Sequence, residues 1–230
     1  GQPAIWWDLI HHAKFSFHTL WKDHYVMIVY AFLPWSGVMA LGYCFGSLFK
    51  NDVPQAVRQK RLLYLGLAVT VLFIALRFVN QYGDPTPWSE QSRGGLYSFL
   101  SFLNTNKYPP SLMFLSMTIG PAILFLALAE RVKGKMAEIF IVYGRVPFFY
   151  YVLHFFIIHT LCVIAFFATG YDASQIVDMN SPFLFRPRTF GFDLWVVYAV
   201  WLLVVVILYP LCKWYNGYKT THNQWWLSYT

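Results

Sequence analysis

Long runs of apolar residues without a charged side chain recur along this sequence. They cover residues 25–49, 62–76, 108–129, 146–171 and 194–212. A helix needs about 20 apolar residues (roughly 17 to 25) to cross a bilayer, and four of these runs are long enough. The second is long enough if the Arg77 side chain, just past its end, extends to the membrane interface. The sequence therefore predicts an all-α fold, a polytopic transmembrane bundle of about five spanning helices with short interfacial or re-entrant helices.

The composition and the placement of charge agree with a membrane-embedded chain. Charged residues make up 12% of the 230 residues, whereas a soluble domain carries about 25%. The net charge of +7 comes mainly from short connections after the first, third and fifth runs, and such basic loops lie in the cytoplasm. Their cations are Lys50, Arg58, Lys60, Arg61, Arg131, Lys133, Lys135, Lys213 and Lys219. Orientation explains the charge, so no nucleic-acid partner is predicted.

The same alternation predicts how the chain is organised across a bacterial inner membrane. We expect an external amphipathic or interfacial segment at 1–24, the helix bundle at 25–215 and a cytoplasmic C-terminal tail at 216–230. No boundary divides the chain into two domains. Because a chain that starts outside without an export signal needs earlier spanning segments, we expect upstream helices or other membrane subunits as partners, together with membrane lipid.

The stretch "VYGRVPFFYYVLHFFIIHTL" (142–161) carries the first group of candidate site residues. Gly144 and Pro147 flank Arg145 and predict that a helix begins near Pro147. Arg145 then lies at a helix N-terminus near the basic residues Arg131, Lys133 and Lys135. Two interpretations stay open: a topological charge that contacts lipid headgroups, or an anion site for a nucleotide-like cofactor at the cytoplasmic face.

Two histidines follow within the same apolar run. At about 1.5 Å per residue, His154 falls in the inner leaflet and His159 near the midplane. Polar side chains at that depth usually face the bundle interior or a wet cavity. Their i, i+5 spacing does not bring them to one face, and the three cysteines show no C-x-x-C spacing, so no metal site is predicted. A hydrogen bond to a neighbouring helix, a proton or acyl relay, and an axial ligand to haem or chlorophyll remain as alternatives.

A second group of candidate residues lies in the predicted outer loops. Prolines bound a turn after the second run and begin the third helix, and 96–103 is too short to span a membrane. The side chains in this region suit a polyhydroxyl or anionic ligand, and an ordinary capped loop is the competing interpretation. The residues concerned are Asp84, Trp88, Asn104, Lys107 and Tyr108.

Several stretches resemble the C-terminal part of a bacterial membrane protein family related to heparan-alpha-glucosaminide N-acetyltransferase. They are "LPWSGVMALGYCFG" (33–46), "LRFVNQYGDPTPWSEQ" (76–91), "FLSFLNTNKYPPSLMFLSMTIGP" (99–121), "VYGRVPFFYYVLHFFIIH" (142–159) and "WWLSY" (225–229). The resemblance implies an acyltransferase that passes an acetyl group from cytoplasmic acetyl-CoA, as cosubstrate, to an amino sugar or similar acceptor across the membrane.

The sequence departs from that family in its catalytic part. Similar members carry an Asp-His element and the acyl-transferring histidine in earlier helices, and nothing in 1–230 matches these elements. No catalytic residue is therefore assigned. The alternative function is a non-catalytic structural subunit of a larger membrane complex that contacts pigment or haem through its histidines.

Overall fold

The structure is a computed structural model that describes residues 4–22, 24–178, 181 and 183–229. The fold is all-α, with five helices long and apolar enough to cross a membrane. The helices of eight or more residues are α2 (Phe32–Phe45), α3 (Gln55–Val79), α4 (Gly95–Leu103), α5 (Leu112–Ala129), α6 (Lys135–Arg145), α7 (Pro147–Ala168) and α8 (Leu194–Thr221). Short 3-10 turns follow at Gly46–Phe49, Ala173–Gln175 and Trp225–Tyr229. The predicted fold class is confirmed.

The chain folds into two compact units, Gly1–Val132 (unit 1) and Lys133–Thr230 (unit 2). The sequence shows no sign of this boundary. Helix α8 continues to Thr221, past residue 215, where we expect the tail to begin. Pro210 lies within α8 without ending it.

The N-terminal part of unit 1 contains a β-hairpin that the apolar runs do not predict. A short helix α1 (Ile5–Trp7) leads through a π-turn to strands β1 (Ser16–Trp21) and β2 (His24–Ile28), which pair antiparallel with Ser16 opposite Ile28. Asp8 is 2% exposed, and its Oδ2 lies 2.8 Å from His18 Nε2. This contact ties the π-turn to β1.

Helices α3 and α5 form the centre of unit 1 because small residues let their backbones approach closely. A Cβ added at Gly120 would lie 2.8 Å from the Thr70 nitrogen, and one at Gly66 would lie 2.8 Å from the Leu124 nitrogen. Such small-residue crossings are a common way for helices to associate in lipid. At one end of the pair, Arg58 donates from Nη2 to Glu130 Oε2 at 2.8 Å, and Gln59 donates to the Ala127 carbonyl.

Unit 2 is built from α6, α7 and α8 around an apolar cluster. Pro147 begins α7, as the sequence predicts. The buried members of the cluster are Val142, Val146, Val204, Leu208, Cys212, Tyr215 and Leu227. Aromatic rings pack around them, and Phe149 stacks on Tyr215 with centroids 4.2 Å apart.

Candidate functional site

Arg77 is the most fully enclosed charged side chain of the site region, with 2% of its surface exposed. Its guanidinium donates to the carbonyls of Ser101, Phe102 and Asn104 at the end of α4, at 2.8 to 3.0 Å. A further bond reaches the Thr86 carbonyl at 3.0 Å. That Arg77 extends to the membrane interface stays a prediction, and the partners of its guanidinium are carbonyls of the chain itself. The last carbonyls of α4 lack intrahelical donors, and a cation at that end also interacts favourably with the helix dipole.

The segment 80–111, which we name the platform loop, is held by further polar side chains. Asn80 ends α3 with φ +58° and exchanges two hydrogen bonds of 2.9 Å with the backbone of Trp88. The Trp88 indole donates to the Arg77 carbonyl at 2.9 Å. Asp84 accepts hydrogen bonds from the Thr86 and Asn106 amides and from the Ser111 hydroxyl. Asp84 and Trp88, both predicted to bind substrate, thus use their polar atoms to fix the loop.

A cavity of about 930 Å³ opens between α3, α5 and the platform loop, which includes α4. We name it the lateral cavity. Its lining is mostly apolar and aromatic: Phe73, Ile74, Phe78, Trp88, Gly94, Gly95, Phe99, Phe102, Leu103, Met117 and Pro121, with Thr70, Glu90, Gln91 and Ser98 as polar members. Its volume falls in the range of ligand sites, about 300 to 1,000 Å³. Of the predicted substrate-binding residues, Trp88 alone is part of this lining.

The polar rim of the lateral cavity has ordered backbone geometry. The Ser98 hydroxyl accepts from the Gln91 amide at 2.9 Å, and the Ser101 hydroxyl accepts from the Ser89 amide at 3.2 Å. Sequence reasoning missed this pairing. The signal was present, because Ser98 and Ser101 are three residues apart in the apolar segment "GLYSFLSFL" and so share one face of α4.

The other predicted substrate-binding residues lie at the far end of the platform loop. Asn104 is exposed and contributes its carbonyl to Arg77. The Lys107 ammonium lies 5.1 Å from the Tyr108 ring centroid. The Tyr30 and Lys107 side chains lower the pKa of the Tyr108 hydroxyl. The Tyr108 ring also packs on Phe15 and Tyr30. Lys107 and Tyr108 therefore connect the loop to the N-terminal segment.

The basic residues predicted to hold a cofactor belong to both units. In unit 1, Arg131 donates to the Gln59 side chain at 3.1 Å. In unit 2, Lys133 lies just before α6, Lys135 begins this helix and Arg145 ends it. Along the helix axis, Lys135 and Arg145 are about 15 Å apart. Arg145 is exposed, and its carbonyl accepts a 3.0 Å bond from Lys219. Within the described ranges, no carboxylate pairs with these four cations.

The two histidines of α7 differ in their surroundings. His154 is half-buried, its Nδ1 lies 3.3 Å from the Tyr150 carbonyl, and its ring stacks on Tyr150 at 5.3 Å. His159 is exposed and meets the Phe185 ring edge at 5.8 Å. His154 is not part of the lateral cavity lining. Where side chains are described, no group of three or more metal-ligating residues occurs.

Comparisons with family models, with curated proteins and with solved structures gave no match to this chain. The fold itself defines the class, a multi-pass helical membrane protein. The candidate site in unit 1 is the lateral cavity beside the platform loop.

Proposed function

We propose that the protein is a membrane-embedded acyltransferase in which the lateral cavity of unit 1 receives the acyl acceptor. The observation that carries the proposal is the cavity itself, about 930 Å³ with apolar walls and a polar rim. Arg77 and Asp84 fix the backbone around it through hydrogen bonds. A preorganised rim is what an acceptor needs if its nucleophile is to be oriented for reaction.

Two features support acetyl-CoA as the donor. The first is the resemblance to the acyltransferase family stated above. The second is the set of exposed cations Lys133, Lys135 and Arg145 of unit 2, which lack carboxylate partners where the chain is described. These cations fit the several phosphates of CoA in charge, and an Arg offers a bidentate fork to phosphate.

The proposed reaction transfers an acetyl group from a thioester to an amine or hydroxyl. A bond forms between the acceptor nitrogen or oxygen and the carbonyl carbon, and the carbon–sulfur bond breaks. The proton lost by the acceptor passes to a base, and the CoA thiolate is released as thiol. The step requires a base close to the acceptor and donors for the oxyanion. Glu90 is the carboxylate on the cavity rim.

Transport and transfer are tested together in inside-out membrane vesicles that contain the intact protein. Acetyl-CoA labelled in its acetyl group is added to the cytoplasmic side, and glucosamine is enclosed as acceptor. We expect labelled N-acetyl product in the lumen.

Arg145→Ala should weaken CoA binding by about 1.5 to 3 kcal/mol, and Arg145→Lys should restore part of it.

The control variant is Arg61→Ala, which removes another exposed cation, near the start of α3. It should leave CoA binding unchanged. An equal loss in Arg61→Ala would show that Arg145 acts only through general charge. If no enclosed amine is acetylated under any condition, the acyltransferase proposal fails.

The second candidate is a non-catalytic subunit of a membrane complex that contacts pigment or haem. The observation that favours it is His159, whose imidazole is exposed within α7 and forms a T-shaped pair with the Phe185 ring. A neutral imidazole in an apolar setting is a good axial ligand. In a complex purified in mild detergent, His159→Phe should remove or shift a visible absorption band. A colourless native complex would exclude this role.

A further inference from the structure

We infer that the lateral cavity binds the hydrocarbon chain of a membrane lipid whose headgroup carries a primary amine. Two of its walls, α3 and α5, are helices long and apolar enough to cross a membrane. On α3 the lining extends from Thr70 to Phe78, about 12 Å along the axis. The cavity therefore runs along a stretch of α3 that is apolar enough to lie among lipid chains.

The walls suit a hydrocarbon chain better than a free sugar. Aromatic rings from α3 and α4 meet around the cavity, and Phe102 packs edge-on against both Phe73 and Trp88. All charged and amide side chains of the lining belong to the platform loop, at residues 90 and 91. A sugar placed between the rings would lose its water hydrogen bonds without replacement, which is costly, so a free amino sugar would bind only at the polar rim. A lipid chain loses none.

The rim selects the headgroup by charge. Glu90 is exposed, and no Lys or Arg nitrogen of the described residues lies within 4.0 Å of its carboxylate. The neighbouring cation, Arg93, is engaged elsewhere: its guanidinium covers the Tyr97 ring at 3.8 Å and donates to the Tyr97 hydroxyl at 2.8 Å. A free carboxylate attracts an ammonium headgroup and repels an anionic one. A primary amine is also the nucleophile that an acetyl donor would modify, and this last point rests on the proposed function.

The test uses the intact protein in lipid vesicles without acetyl-CoA. The probes are phosphatidylethanolamine and phosphatidylglycerol that carry a photoreactive diazirine in one acyl chain, and cross-linked peptides are located by mass spectrometry. Ile74→Trp narrows the cavity, and Leu72→Trp adds the same ring on α3 outside the lining. The two positions are matched in exposure, at 41% and 43%.

We expect cross-links from phosphatidylethanolamine on the cavity segments of α3 and α4. Ile74→Trp should reduce them about tenfold, as overpacking of one site would, and Leu72→Trp should not change them. Equal labelling in the two variants would overturn the inference. So would cross-links spread evenly over all lipid-facing helices.

Glu90→Gln tests the headgroup assignment. The unaltered protein should favour phosphatidylethanolamine over phosphatidylglycerol by about two- to fivefold, the scale of one exposed ion pair. This preference should disappear in Glu90→Gln and persist in the control Glu138→Gln. A protein that takes up both lipids equally would overturn the assignment of Glu90.

If labelling fails while enclosed glucosamine is acetylated, this inference falls and the proposed function stands. If labelling succeeds and no amine is acetylated, the proposed function fails and the inference of a lipid site stands.

Discussion

The two units of the chain are stabilised by different kinds of interaction. In unit 1, polar side chains bind backbone carbonyls and amides, as Arg77 and Asp84 do around the platform loop. In unit 2, the recurring contacts are between aromatic rings, such as Phe149 on Tyr215 and Tyr150 on His154. Directional bonds define one geometry, whereas ring packing tolerates small changes of shape. We therefore expect single substitutions to be costlier in unit 1.

The largest effect is expected for Arg77→Met. The Met side chain keeps much of the bulk but leaves four carbonyls without the guanidinium donors. We predict a loss of more than about 3 kcal/mol in the free energy of unfolding, measured by denaturant titration in detergent micelles. Arg93→Met, at an exposed position, is the control. Similar losses in the two variants would contradict the role assigned to Arg77.

A smaller loss is expected for Gly120→Ala, because the new Cβ would lie 2.8 Å from the Thr70 nitrogen. Overpacking of this kind costs about 1 to 3 kcal/mol. The matched variant in unit 2 is Gly217→Ala, since Gly217 has no heavy atom near its Cβ position. That variant should be as stable as the unaltered protein or more so. A destabilised Gly217→Ala together with an unaffected Gly120→Ala would reverse the comparison.

Within unit 2, Tyr143→Phe removes a hydrogen bond between α6 and α8. The Tyr143 hydroxyl donates to the Val205 carbonyl. We predict a decrease of about 1 kcal/mol in unfolding free energy, the scale of an interhelical hydrogen bond in a membrane. Tyr151→Phe removes a hydroxyl from an exposed ring and should change nothing measurable. A loss as large as that of Arg77→Met would show that unit 2 also depends on directional bonds.

The smallest predicted effect is a change in how the stability of unit 1 depends on pH. The Arg58 guanidinium lowers the pKa of Glu130 below its ordinary value of 4.5. The ion pair therefore stabilises the fold fully at a pH above the ordinary pKa of Glu130. This stabilisation is lost as the pH falls through the lowered pKa. Glu130→Gln should decrease the thermal midpoint slightly at pH 7, by the equivalent of about 0.5 kcal/mol, and should narrow the difference between pH 7 and pH 3. An unchanged pH dependence would argue against this ion pair.

Hydrophobicity and helix signals were enough to predict the five long helices and the short α4. The start of α7 at Pro147 was also predictable, because proline favours the first position of a helix. The hairpin 16–28 was not, because its strands carry no regular alternation of polar and apolar residues and depend on contacts such as that of Asp8 with His18.

The candidate site was less predictable than the fold. Composition marked Asp84, Trp88, Asn104, Lys107 and Tyr108 as polar or aromatic groups in a loop, and nothing local indicates which polar atoms bind the chain itself. The four carbonyl partners of Arg77 come from residues 86 to 104 and are brought together only by folding. The lateral cavity likewise depends on the packing of three helices.

The central prediction, drawn from the alternation of basic loops, is that the platform loop and the rim of the lateral cavity face outside and that the basic loops face the cytoplasm. Labelling of single cysteines with an impermeant thiol reagent in intact cells tests it most directly, in a variant whose native cysteines are replaced by alanine. Ser92, Asn51 and Lys133 are exposed positions in the three connections concerned. We predict that Ser92→Cys reacts in intact cells, and that Asn51→Cys and Lys133→Cys react only after the membrane is permeabilised. Reaction of Asn51→Cys or Lys133→Cys in intact cells, with Ser92→Cys protected, would contradict the account.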